Sequence, residues 1–193
     1  MMQHALDYEY LSFEDYLTSE QEVAIRHEYL DGQIYAMAGA SECHNTITQT
    51  LGSAIDNALR DGCRVWQSDM KVVGKNEHKP FAYYPDIMAA CGENTSDQYT
   101  RTNPVLIIEV LSPNTARTDR SEKFANYTQI DSLLEYVLVA QDKPYLCIFR
   151  RRNAWRMEPF YAEDVFTLES VGLTLPVVQV YRRVRKEVGL DID

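Results

Sequence analysis

Two apolar runs in this chain each carry one acid. Asp86 follows Pro85 at the head of "DIMAAC", and Glu109 is set within "VLIIEVL", with Lys123 a short way beyond in "RTDRSEKFANY". A carboxylate inside an aliphatic strand is costly unless something compensates it, so these acids point to a partner or a metal. Two carboxylates on neighbouring strands can converge on one divalent cation, and hard oxygen donors favour magnesium or manganese over zinc. An ion so held can bind a phosphodiester oxygen, lower the pKa of a bound water and stabilise the pentavalent charge, while a nearby lysine orients or deprotonates that water. The chemistry this set could do is metal-assisted phosphodiester hydrolysis. The competing structural readings are a strand cap at Asp86 and a buried ion pair between Glu109 and Lys123. Ser112 lies close to Glu109, but no G-x-S-x-G elbow surrounds it, which sets serine-hydrolase chemistry aside.

The elements that must position these residues follow from local pattern. Ser12 is a candidate N-cap, with acids in the next turn, for a helix over 12–22. Asp31-Gly32 between two alternating segments predicts a hairpin. Ile47, Leu51, Ile55 and Leu59 recur every fourth residue and predict an amphipathic helix over 41–60, closed by Asp61-Gly62. "CRVWQSDMKVVG" and "FAYYPDIMAAC" each read as one strand, and "NPVLIIEVLS" as a central strand covered on both faces. The polar stretch 92–103 reads as a loop, and 119–130 as a helix with Phe124, Tyr127 and Ile130 on one face. "LLEYVLVA", "YLCIFRR" and "AWRMEPF" follow as strands, then "LTLPVVQVYRRV" as a strand edge and a short helix beginning at Pro176. The order predicts a mixed α/β (α+β) domain with helices packed on a central sheet.

Composition narrows the function classes. The 193 residues and 45% hydrophobic content fit one domain spanning residues 1–193. The acidic N-terminus lacks the basic and apolar regions of a secretory signal, and no apolar run approaches the roughly 20 residues of a membrane helix. Cys43, Cys63, Cys91 and Cys147 lie far apart with no C-x-x-C pair, which fits neither a zinc knuckle nor a small disulfide framework and reads as a reducing cytoplasm. A net charge of -10 argues against a surface basic all over, yet "RRNAWR", "YRRVRK" and Lys71, Lys75 and Lys79 leave room for a local basic face.

Taken together, "HEYLDGQIYAMAGASECHNTI", "YPDIMAAC", "LIIEVLSPNTARTDRSEKFANY" and "EYVLV" resemble the Uma-two-type "putative restriction endonuclease" family of the PD-(D/E)xK nuclease superfamily. The resemblance covers most of the chain and implies a restriction-endonuclease-like mixed central sheet flanked by helices. It implies Asp86 and Glu109 as ligands of Mg or Mn and Lys123 as the catalytic lysine. Elsewhere in the superfamily that lysine stands two residues after the acid, a position held here by Leu111, so Lys123 must come from the helix. Glu28 matches a family acid that adds a ligand or supports one, and His44 and Asp69 match further polar positions near the expected site. The implied function is a metal-dependent endonuclease acting on DNA, and a homodimer would supply two active sites for a double-strand cut. The alternative is an inactive nuclease fold serving as a nucleic-acid-binding or assembly module.

Overall fold

Local signals set the first elements in the computed structural model, which describes residues 10–37, 39–93, 97–113 and 115–190. Ser12 accepts a hydrogen bond from the Asp15 amide and so starts α1 (Phe13–Ser19). β1 (His27–Leu30) and β2 (Gln33–Ala36) pair antiparallel around Asp31 and Gly32, whose φ values of 46° and 89° are those of the expected tight turn. Ser41 caps α2 (Glu42–Ala58) by accepting from the His44 amide. On α2, Ile47, Leu51 and Ile55 are fully buried, as their spacing predicts.

The middle of the chain departs from the sequence reading in one systematic way. "CRVWQSDMKVVG" is two strands, β3 (Cys63–Gln67) and β4 (Lys71–Asn76), and "FAYYPDIMAAC" is also two, β5 (Lys79–Tyr83) and β6 (Ile87–Cys91). The first break falls at Ser68, whose φ is 59°, and the second at Tyr84-Pro85, where proline cannot continue a ladder. The two halves of each stretch enter different sheets. The loop expected over 92–103 contains a two-residue strand, β7 (Thr100–Arg101). The centre of that loop and the N-terminal residues 1–9 lie outside the described residues.

β8 (Pro104–Leu111) is followed by α3 (Ala116–Thr118), a π-helical turn (Asp119–Lys123) and α4 (Phe124–Tyr127). After these come β9 (Glu135–Ala140), β10 (Tyr145–Arg150) and β11 (Met157–Tyr161), all expected from sequence. β12 (Val165–Leu168), which the sequence reading missed, pairs with β13 (Leu173–Pro176), and α5 (Val177–Val180) ends the regular structure.

Among the described residues the main sheet has the order β11-β10-β9-β8-β6-β3. β8 lies inside it, parallel to β9 and antiparallel to β6, which makes the sheet mixed. Its alternate residues face opposite layers: Leu106, Ile108 and Val110 pack with Ile47, Leu51 and Ile55 of α2, while Ile107 and Leu111 pack with Tyr127 and Tyr136. A second sheet, β2-β1-β5-β4-β7, joins the latter layer through Val72, Phe81 and Tyr83. Glu109 shares the parity of Ile107 and Leu111 and so points into that layer.

The cysteine reading needs correction. Cys63 and Cys91 face each other across β3 and β6 and form a disulfide, while Cys43 and Cys147 are free. Antiparallel pairing brings the two Cα atoms to 4.0 Å despite a separation of 28 residues, a proximity that spacing along the chain does not reveal. No described helix is long and apolar enough to cross a membrane.

Candidate active site

The main sheet opens at Pro85, and the candidate site forms in that opening. Beyond the last β6–β8 pair, the Val110 amide donates to Asp86 Oδ2, at 2.7 Å. The Asp86 amide donates to Glu109 Oε2 at 3.3 Å, and its carbonyl accepts from the Ser68 amide at 3.1 Å. His44 Nε2, in the first turns of α2, lies 3.1 Å from Asp86 Oδ2. Asp86 is thus fixed by contacts from β8, from α2 and from the residue that follows β3, and its side chain keeps 19% exposure.

Lys123 reaches the same point from the helical segment. Its Nζ lies 3.3 Å from Glu109 Oε1, 2.8 Å from Glu28 Oε1 and 3.5 Å from Asp119 Oδ1. Tyr127 donates to Glu109 Oε1 at 3.1 Å, and Glu28 Oε1 accepts from the Tyr84 amide at 3.4 Å. Residues 119, 123 and 127 recur every fourth position and so share one helix face, with the wider π turn between the first two. Leu111 is buried in the apolar layer.

The structure therefore gathers Asp86, Glu109, Lys123, Glu28 and His44. Asp69 is not gathered with them: its carboxylate is exposed and pairs with Arg26 Nε at 2.9 Å. Asp119 and Tyr127 join the cluster without having been singled out, although the D-x-x-x-K spacing and the tyrosine four residues later carried the signal.

Electrostatics here are governed by burial. Desolvation raises the Glu109 carboxyl well above the usual range; Lys123 opposes the shift, and the charges of Asp119, Asp86 and Glu28 reinforce it. Glu28 and Asp119 are raised for the same first reason, against the pull of Lys123. Burial alone would favour neutral Lys123, but Glu109, Glu28 and Asp119 outweigh it and hold the ammonium well above its ordinary value. Burial also works against protonation of His44, and its bond to Asp86 reverses the balance and raises it.

The donor set is made of oxygens. Glu28, Glu109 and Asp119 share one ammonium, Asp86 lies against His44 instead, and the buried Asp119 Oδ1 accepts no hydrogen bond. Surplus negative charge on hard oxygen donors, one of them without a hydrogen-bond partner, fits a divalent cation of the magnesium type. Among the described residues no three acidic, histidine or cysteine side chains form a ready-made cage.

Comparison with known proteins adds three findings. The family model described as "Uma2: Putative restriction endonuclease" matches residues 13–178. Two Synechocystis relatives, "Uncharacterized protein slr1290" and "Uncharacterized protein sll1609", are 35% and 34% identical over 89% and 68% of this chain and 92% and 75% of their own lengths. A crystal structure from Anabaena variabilis, described as a "putative nuclease belonging to DUF820", superposes with a TM-score of 0.74 at 16% identity, covering 89% of this chain and 98% of that one.

Proposed function

The chain belongs to the Uma2 family, described as "Putative restriction endonuclease", and from that premise we propose that it is a metal-dependent endonuclease hydrolysing phosphodiester bonds in DNA. The observation that supports this most is the arrangement about Glu109. Lys123 Nζ lies on Oε1 and the Asp86 amide on Oε2, so one buried carboxylate links the other acid to the cation. Asp86 and Glu109 would hold Mg or Mn, with Asp119 beside them. When bound, such an ion supplies a Lewis acid for a phosphodiester oxygen and makes a coordinated water more acidic.

The protein's own groups prepare that setting. His44 and the Val110 amide fix Asp86, and the Tyr127 hydroxyl fixes Glu109. Lys123, surrounded by carboxylates, stays an ammonium at neutral pH, so it suits orienting an attacking water or a phosphate oxygen better than removing a proton. Asp69 has no part in this arrangement.

Plasmid DNA incubated with the protein and Mg or Mn tests the reading. Nicked or linear product is expected, with Asp86→Asn and Glu109→Gln each lowering the rate at least 100-fold while their circular dichroism matches wild type. Undiminished cleavage by folded Asp86→Asn would remove this site from the reaction. One observation favours a silent nuclease fold: the internal carboxylates already neutralise Lys123. DNA binding without cleavage under any divalent metal would favour that alternative.

A further inference from the structure

The basic clusters of the sequence have different fates in the fold. In "RRRNAWR", Arg150 is buried against Glu135 and Glu158, Arg151 Nε donates to the Leu133 carbonyl, and Arg152 pairs with Glu169. Lys79 pairs with Asp31, and Lys71 is buried. Arg182 and Arg183 of "YRRVRK" are exposed and, among the described residues, make no ion pair. Their backbone is nevertheless held firmly, because Val180, Tyr181 and Val184 on either side are buried and the Tyr181 hydroxyl donates to the Ala140 carbonyl at 2.8 Å.

These two arginines form one wall of a groove of about 700 Å³. The other wall is the outer face of α2, where Asn45, Thr46, Gln49, Thr50 and Ser53 present amides and hydroxyls, with Glu42 at its N-terminal end. Residues 42–53 extend over about 17 Å at 1.5 Å per residue. Glu42, at the N-terminal end of the groove, shares the first turn of α2 with His44, which faces inward from that turn and reaches Asp86.

We propose that this groove is a track for the phosphodiester backbone of DNA leading to the Asp86–Glu109 site. The inference rests on the nuclease reading for its choice of partner. Two exposed, unpaired guanidinium groups on a firmly held backbone, in a chain of net charge -10, concentrate positive charge locally, which is what binding to phosphates needs. Neutral amides and hydroxyls opposite them can bond to phosphate and sugar oxygens without reading sequence. One DNA strand presents about five phosphates over that length, at one per 3.4 Å.

The test is binding of a fluorescent duplex to the full chain without divalent metal, across a salt series, followed by cleavage with Mg or Mn. Arg182→Ala/Arg183→Ala is expected to weaken binding at least tenfold and to reduce the slope of log affinity against log salt by about 1.8, since each phosphate that is no longer neutralised removes about 0.9. Arg152→Ala/Lys79→Ala removes the same formal charge elsewhere and is expected to change affinity less than threefold. Equal weakening in the two double variants would reduce the groove to bulk charge and overturn the proposal, as would unchanged binding in Arg182→Ala/Arg183→Ala. A wild-type chain that binds no DNA, or binds an acidic peptide or anionic vesicles through these arginines instead, would overturn it too. Groove-dependent binding without cleavage leaves the track standing and sinks the nuclease reading; cleavage independent of the groove does the reverse.

Discussion

At the scale of single residues, the chain holds two buried lysines in opposite circumstances. Lys123 has three carboxylate partners and stays charged. Lys71, almost wholly buried, lies over the rings of Tyr16 and Tyr84 at 5.2 Å and 5.6 Å, and burial lowers its pKa against the weaker pull of Glu20 and Asp97. The sign of the pH effect follows. Between the lowered folded value and the ordinary 10.5, the unfolded chain binds a proton that the folded chain does not, so Lys71 makes stability rise with pH across that window. Below the window the charged lysine is a cost. Lys71→Met is therefore expected to melt a few degrees higher than wild type at pH 7, with the gap narrowing as pH rises toward 10.5. Thermal melts of both proteins at several pH values check this; parallel curves would show that Lys71 is solvated.

At the scale of elements, α2 does two jobs with one buried face. Its apolar stripe packs on the β8 side of the sheet, and its N-terminal turns carry His44 to Asp86. Ser41 sets the start of that helix by accepting from the His44 amide, and its hydroxyl also donates to Gln141 Oε1 at 2.7 Å. Loss of such a cap costs about 1 kcal/mol, which in a domain of this length lowers Tm by roughly 2–4 °C. Ser41→Ala should show that loss in a thermal melt and Ser41→Asp should recover most of it; equal melting of all three proteins would mean the cap contributes nothing. The helical segment after β8 works in the same manner, because Asp119, Lys123 and Tyr127 share a face across a π turn.

At the scale of the whole molecule, two sheets meet where the chain leaves one for the other, at Ser68 and again at Tyr84-Pro85, and the acids collect at that junction. The Cys63–Cys91 disulfide fastens edge strand β3 to β6, the strand that follows Asp86. Closing a loop of this size typically adds about 2–4 kcal/mol, so Cys63→Ser/Cys91→Ser is expected to melt on the order of 10 °C below wild type, at roughly 2–4 °C per kcal/mol. Intact mass before and after reduction checks the bond itself, and no mass change on reduction would disprove it.

Much of this was legible in the sequence, because the signals were local: Asp31-Gly32 for the hairpin, the four-residue stripe for α2, the β-branched run for β8, and the acids of Asp86 and Glu109 for the site. Other features depended on residues distant in the chain. The splitting of two apparent strands between two sheets, the Cys63–Cys91 pairing and the separation of Asp69 toward Arg26 arise from strand register and burial, which local pattern does not encode. Leu111 shows the division most clearly. From sequence it leaves a lysine missing beside Glu109, and only the packing of the following helix against the sheet brings Lys123 within 3.3 Å of that carboxylate.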